Sequence, residues 1–435
     1  MHHKTYSMIL MVAASGVILT IFQFWLSSYY DTALLPHDVK DPVVLWWSPF
    51  VGDENRLSTC EDVQCYFTQN KSFTSHLLLK AILFYGSNFN VADLPLPRSR
   101  NVTWGLIHEE SPRNNPILVH DDALNLFNYS ATFSRYSDVP LTLVDLPGEE
   151  ELTDTSYLVP FKEKSELVYK NSLAPVLYIQ SDCDTASDRD SYVAELMKYI
   201  QVDSYGPCLN NRPLVESLKD NHMETLMSKE FLSFVAKYKF TLAFENAVCN
   251  DYITEKLWRP LIVGSIPVYY GSPTFKDWLP NNQSAISVLD FKNPKDLAAF
   301  LLKLANNEAD YQEYLNHKLL DRDNRITNDR LLKALQSRPK GYANDFGNYV
   351  QAFECFVCRK VHNSQRSLMT SKQYSCPLPT NPLTGKINHG NVWVDQWNIE
   401  KCGAKLLAHF VSNNKSIDIK QFNNEQFRMY NKAEC

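Results

Sequence analysis

The sequence predicts an α/β protein with parallel sheet, divided into two domains. Three observations carry that prediction. Short apolar runs alternate with helix-period segments from residue 43 to residue 304, the pattern of strands joined by crossover helices. A chain of 435 residues exceeds what one hydrophobic core ordinarily holds. The stretch from Phe240 to Gly271 reads as one strand–loop–helix–strand unit, with Glu245, Glu255 and Lys256 beyond the carboxyl end of its first strand. Ligands of open α/β sheets bind at that end, and helix N-termini there attract phosphate. The composition, 44% apolar and 21% charged, is that of a globular protein. A net charge of −6 and the absence of a basic stripe with interleaved aromatics argue against a nucleic-acid partner.

The elements follow in order. Val43–Trp46, Ala81–Tyr85 and Val102–Ile107 read as strands, with a helical stretch at Ser75–Lys80. They define a first α/β domain at residues 43–165, with Gly148–Thr155 and Lys162–Glu166 in the linker region. Pro175–Gln180 reads as the first strand of a second domain, residues 166–330. A polar loop, Ser181–Asp188, leads to a helix over Arg189–Ile200 with Tyr192, Leu196, Tyr199 and Ile200 on one face. Val202–Tyr205 reads as a strand closed by Gly206-Pro207, and Phe231–Tyr238 as a helix. After the central unit, Leu297–Leu304 closes the domain as an amphipathic helix. Residues 331–360 return with a CxxC, and residues 361–435 read as an irregular, cysteine-containing C-terminal tail.

The N-terminus carries a different signal. Residues 1–5 include Lys4, and an apolar stretch runs over residues 6–26. About 20 such residues span a hydrocarbon core. The bulky Phe22–Leu26 end offers no small-residue cleavage site, so the stretch reads as a transmembrane signal anchor rather than a cleaved signal peptide. Residues 27–42 read as a stem. Five N-x-S/T sequons, at Asn70, Asn101, Asn128, Asn282 and Asn414, and ten cysteines fit an oxidising lumen. The expectation is a single-pass type II protein of the Golgi or endoplasmic reticulum membrane, with its catalytic domain lumenal.

The motifs that carry chemistry lie around the central unit. Phe244-Glu245-Asn246, Tyr252-Ile253-Thr254-Glu255-Lys256 and Ile266-Pro267-Val268-Tyr269-Tyr270-Gly271-Ser272-Pro273 together resemble the donor-binding signature of the α1,3-fucosyltransferase family, in a divergent branch. Upstream, Glu109-Glu110-Ser111-Pro112 resembles that family's Glu-Ser-Pro element. Leu126–Tyr129 with Ser137-Asp138 resembles the segment after it. Ser187-Asp188-Arg189 and Val202–Gly206 resemble the start of its donor domain. The resemblance covers roughly residues 43–358. It implies a GT-B fold, with an acceptor-side and a GDP-fucose-binding Rossmann-like domain facing a cleft. It implies inverting transfer of L-fucose from GDP-fucose to an acceptor hydroxyl in α linkage.

The residue chemistry supports this reading independently. The leaving diphosphate needs positive charge, which Lys256 near a helix start and a bidentate Arg189 can supply. Asn246 and Tyr252 suit donor hydroxyls or phosphate, and Glu255 can bind sugar hydroxyls or oppose charge at the fucose ring. Glu110 is the candidate base, with His108 and Glu109 as neighbours that resemble it. Taken singly, each of these is an ordinary surface lysine, capping arginine or first-turn acid; the motif unites them. The family pattern also pairs Cys60 and Cys65 with Cys355 and Cys358. Asp182-Cys183-Asp184 has the form of a divalent-metal ligand, yet D-x-D recurs at Asp188/Asp190 and Asp321/Asp323, and Arg189 with Lys256 can neutralise a diphosphate without metal. No cofactor is expected, GDP-fucose being a co-substrate. The main functional expectation is α1,3 transfer to N-acetylglucosamine of a glycoprotein glycan. The alternatives are transfer to Ser/Thr of folded protein domains, a non-catalytic GDP-fucose-binding pseudoenzyme, and a metal-dependent transferase built on Asp182 and Asp184.

Overall fold

The computed structural model describes residues 38–50, 55–170, 172–214, 227–319, 325–338 and 346–435. Its strands form two sheets. The first contains β1 (Val43–Ser48), β2 (Arg56–Cys60), β3 (Val63–Thr68), β4 (Leu79–Tyr85), β5 (Thr103–His108) and β6 (Tyr129–Thr132), in the order β2-β3-β1-β4-β5-β6. All its pairs are parallel except the β2–β3 hairpin. The second contains β7 (Val176–Ile179), β8 (Val202–Tyr205), β9 (Phe240–Phe244), β10 (Ile266–Tyr270) and β11 (Ile286–Ser287), in the wholly parallel order β11-β10-β9-β7-β8. This two-sheet α/β architecture is consistent with the GT-B arrangement that the resemblance implied.

Among the described residues the helices of eight residues or more are α1 (Phe161–Tyr169), α2 (Arg189–Leu196), α3 (Lys229–Ala236), α4 (Glu255–Val263), α5 (Pro294–Ala305), α6 (Asp329–Ser337), α7 (Phe346–His362), α8 (Val392–Ser412) and α9 (Ile419–Asn431). Side-chain caps set several starts: Ser228 accepts from the Phe231 amide, Thr254 from Lys256 and Asn293 from Asp296. Strand β9 is buried along its whole length, as a central parallel strand requires.

Four expectations are corrected. Residues Ser75–Lys80 form no helix; a 3₁₀ turn ends at Ser75 and β4 begins at Leu79. Helix α2 stops at Leu196, so Tyr199 leaves the apolar face and is exposed, while Tyr192, Leu196 and Ile200 are buried. The C-terminal tail is not irregular, because α8 and α9 pack on the first sheet's core through Cys402, Leu407, Val411, Phe422 and Met429. Their apolar period is faint in sequence because close contact is made by small residues. A Cβ on Gly403 would stand 2.5 Å from the Gln426 amide nitrogen of α9. Finally, no helix among the described residues is long and apolar enough to cross a membrane. The expected membrane anchor, and with it the membrane partner and the type II Golgi or endoplasmic reticulum topology, therefore finds no support among the described residues. The stretch 6–26 on which that reading stood, with residues 1–5 and most of the stem, lies outside the described residues.

All ten cysteines are paired. Cys60–Cys355 and Cys65–Cys358 bind the β2–β3 hairpin to α7, whose Phe353 and Val357 enter the first sheet's core. Cys183–Cys208, Cys249–Cys376 and Cys402–Cys435 complete the set. A fully paired complement fits an oxidising compartment.

Candidate active site

The site forms where the two sheets' carboxyl ends meet. Strand β9 ends at Phe244, and Glu245 and Asn246 follow at once. Glu245 is fully buried and accepts from the Thr254 amide and the Thr254 hydroxyl, each at 2.8 Å. It therefore holds the N-cap of α4, which in turn aims Glu255 and Lys256. Gly271, after β10, makes this possible: a Cβ there would lie 2.5 Å from Glu245 Cγ. Lys256 Nζ stands 3.1 Å from Glu255 Oε1 and 3.8 Å from Glu245 Oε2, and Arg259 lies 3.8 Å from Glu255 one turn on. Burial alone would depress the Lys256 ammonium, but Glu255 and Glu245 outweigh it and hold the group above its ordinary value. Burial likewise pushes Glu255 up, and Lys256 with Arg259 overcomes it, so that carboxyl stays ionised.

Arg189 opens α2 and is buried among the loops at the carboxyl end of the second sheet. Its Nη1 donates to the Phe244 carbonyl at 2.8 Å and its Nη2 to the Asp182 carbonyl at 2.6 Å, while Nε has no partner. The guanidinium's five donors leave hydrogen-bonding capacity in reserve. Asn246 Oδ1 is also buried and unpartnered. A buried polar atom without a partner costs about 1–3 kcal/mol. Two such atoms at the end of β9 are what a polar ligand would satisfy. Tyr252 is buried against Phe133, with its ring centroid 5.2 Å away. Burial first, and the charges of Glu245, Glu110 and Glu255 next, keep its hydroxyl protonated far above the ordinary range.

The first domain supplies the opposing wall. Strand β5 ends at His108, followed by Glu109 and Glu110. His108 is fully buried between Tyr85 and Tyr374, at ring distances of 6.4 and 5.3 Å, and burial pushes it down to about 3. It is a neutral packing group, not a proton carrier at neutral pH. Glu109 accepts from the Tyr85 hydroxyl at 2.8 Å, and burial raises it to about 7. Burial raises the Glu110 carboxyl most, while Lys256 lowers it and Glu255 raises it again, so it feels the charges at the start of α4. The seam is tied by Arg135, whose amide and Nε donate to Asp251 Oδ2 at 3.0 and 2.9 Å and whose Nη1 reaches Asp277 at 2.6 Å.

Two participants escaped sequence reasoning. Glu245 stood inside the motif, and its place directly after a strand was the available signal. Asp145 carried none. It sits between Leu143 and Leu146, which pack with Leu257, Trp258 and Leu261 of α4. Arg338 holds that turn by donating to the Leu146 and Pro147 carbonyls at 2.6 and 2.9 Å. Burial, then Glu255, pushes the Asp145 carboxyl well up.

The remaining candidates are placed as follows. Asp182 Oδ1 pairs with Arg113 at 3.0 Å, Asp184 is exposed, and the Cys183 between them is in a disulfide. Asn70, Asn101, Asn282 and Asn414 are exposed. Asn128 is half-buried and committed: its Oδ1 accepts from Trp104 N and Arg98, and its Nδ2 donates to Ser367 O.

Comparison with known proteins identifies the family. Residues 39–143 match the model "Fucosyltransferase, N-terminal", and residues 169–374 match "Glycosyltransferase family 10 (fucosyltransferase) C-term". The chain is similar to GDP-fucose protein O-fucosyltransferase 3 of Bos taurus, with 45% identity over 88% of this chain and 82% of that one. The relatives of the same name from Homo sapiens and Danio rerio are each 44% identical, covering 82% and 87% of their own lengths. A solved α1,3-fucosyltransferase with GDP-fucose is 19% identical, with a TM-score of 0.40 over 75% of this chain and 93% of that chain. The kinship of the chain is thus with the protein O-fucosyltransferase branch, which corrects the α1,3-fucosyltransferase resemblance drawn from motifs alone. The chain belongs to glycosyltransferase family 10, the fucosyltransferases, and is a GDP-fucose-dependent glycosyltransferase.

Proposed function

We propose that the chain transfers L-fucose from GDP-fucose, with inversion, to a Ser or Thr hydroxyl of a folded protein domain. The observation that carries this reading is 45% identity, over most of both chains, to a protein O-fucosyltransferase, with a Glu110 carboxyl that feels the charges of Lys256 and Glu255. The expected α1,3 transfer to N-acetylglucosamine is set aside, because relatives matched over 82% of their length carry the name of a protein O-fucosyltransferase.

The acceptor oxygen attacks the anomeric carbon as the bond from that carbon to the diphosphate oxygen breaks. Glu110 takes the hydroxyl proton. Its raised carboxyl makes it a better base than an exposed glutamate and leaves it ionised only above the ordinary carboxylate range. Lys256, kept charged by Glu245 and Glu255, meets the negative charge growing on the diphosphate. Arg189 Nε and Asn246 Oδ1 supply hydrogen bonds to the donor. Tyr252, buried against Phe133 of the first domain, packs at the seam. No step in this account requires a metal.

The test is an acceptor panel. Purified protein and radiolabelled GDP-fucose are incubated with disulfide-bonded extracellular domains and, separately, with free N-glycans and lactosamine. Label on a folded domain and none on the oligosaccharides is the expected result. Label on oligosaccharides alone would sink the reading.

A further inference from the structure

A cavity of about 150 Å³ opens beside the base loop, and nothing in the mechanism uses it. Pro112 of the first domain, Ala186 and Ala247 of the second, and Leu378, Trp393 and Trp397 of the C-terminal region line it. No charged side chain faces it. The indole N–H groups are already spent, Trp393 on the Asp184 carbonyl at 2.6 Å and Trp397 on the Cys376 carbonyl at 3.4 Å. The tryptophans therefore offer only apolar ring surface. The Cys249–Cys376 disulfide fixes one wall.

Position, size and sequence point to one occupant. Pro112 is two residues from Glu110, a span of at most about 7 Å along the chain, and Ala247 follows Asn246. The opening therefore lies beside the segments that carry the candidate base and the candidate donor-binding asparagine. An apolar cavity of roughly 150 Å³ accommodates a benzene-sized group. The wall from Cys376 to Trp397 lies beyond residue 374, where the general family match ends. The match to the O-fucosyltransferase relatives covers 88% of the chain and so necessarily runs past that residue. One wall of the cavity, from Cys376 to Trp397, thus lies outside the stretch that the family model matches, and the rest lies within it.

We propose that this cavity receives an apolar, ring-sized side chain of the protein acceptor, next to the hydroxyl being fucosylated. The proposal rests on the protein-acceptor reading above. It makes Trp393 and Trp397 specificity determinants that touch neither the donor nor the reacting atoms.

The test uses the folded domain that wild-type protein labels in the acceptor panel. Two variants bracket the cavity: Ala186→Leu fills it and Trp393→Ala strips a wall. GDP-fucose binding by calorimetry, expected unchanged in both, shows that they fold. Their acceptor KM is expected to rise at least about tenfold, the usual worth of a buried apolar contact, with kcat kept. Each exposed apolar side chain around the labelled hydroxyl of the acceptor is then changed to Ala. One such change should raise KM about tenfold with wild-type enzyme and have no further effect with Ala186→Leu. Wild-type acceptor KM in both variants overturns the proposal. A wild-type enzyme that labels oligosaccharide and no protein domain overturns instead the reading beneath it, and the proposal with it.

Discussion

At the scale of single residues the account turns on which acid is the base. Glu109 and Glu110 are adjacent in sequence and opposite in surroundings. Glu109 is held by Tyr85 within its own domain, whereas Glu110 answers electrostatically to Lys256 in the other. Glu110→Gln is therefore expected to lose about 10²–10⁴-fold in transfer rate while GDP-fucose still binds. Glu109→Gln should keep most of the activity; the two are compared by steady-state kinetics and calorimetry. The pH profile follows the same logic. The base works only when deprotonated, and its pKa is raised above the ordinary 4.5. So kcat/KM should fall on acidification with a midpoint above 4.5, and Glu110→Gln should abolish that limb. The placement of the candidates was legible beforehand, and their roles await these tests: Glu110, Arg189, Asn246, Tyr252, Glu255 and Lys256 lie near the carboxyl ends of the two sheets. The motif named Asn246, Tyr252, Glu255 and Lys256 because they follow one strand end at short spacings, whereas Glu110 and Arg189 follow other strands. Asp145 was illegible because it reaches α4 through a turn with no periodicity, brought there by two leucines and Arg338.

Among elements, the join between the domains matters most. Arg135 follows β6, and Asp251 precedes Tyr252 in the loop that feeds α4. Asp251 is buried and also accepts from the Thr274 hydroxyl at 2.6 Å and Trp278 Nε1 at 3.0 Å. Removing Arg135 strands that charge. Arg135→Ala is expected to cost about 3 kcal/mol of stability and to raise the KM for GDP-fucose by loosening the loop that ends in Glu255; denaturant unfolding and donor kinetics check both. Burial raises the Asp251 carboxyl, but Arg135, with Thr274 and Trp278, more than reverses this, so its pKa lies below the ordinary aspartate value. The stability it contributes is present above the ordinary aspartate range and is lost only as pH falls through that depressed value. Gly271→Ala offers a complementary probe. The added methyl meets Glu245 Cγ at 2.5 Å, so donor affinity should drop while the first domain is untouched. Short apolar strands were readable, as Val202–Tyr205 was to the residue and as the strand opening at Phe240 was. The β2–β3 hairpin and α8 were not, because one mixes polar residues into both faces and the other packs through Gly403 and Ala404.

For the whole molecule, the long disulfides and the C-terminal helices hold the first domain closed on its own return segment. Cys60–Cys355 and Cys65–Cys358 close nearly the same loop, with separations of 295 and 293 residues. Once one is formed the other constrains little more. Replacing either pair with serines should lower the melting temperature modestly, and replacing both should cost more than the sum, on the order of 5 kcal/mol for a loop of this length. Glycan mapping gives a second check. Occupancy is expected at Asn70, Asn101 and Asn282, whose side chains are exposed, and not at Asn128, whose amide nitrogen donates to the Ser367 carbonyl at 3.0 Å. The two-domain plan was legible from strand–helix alternation, but the identity of the acceptor was not, since no local pattern encodes what the cleft receives. The most direct test of the whole account is therefore the bond that the enzyme makes. A labelled protein product treated with alkaline borohydride should release its label as free fucitol by β-elimination from Ser or Thr, with the labelling absent in Glu110→Gln. Label that resists alkali and leaves with enzymatically released N-glycans would contradict it.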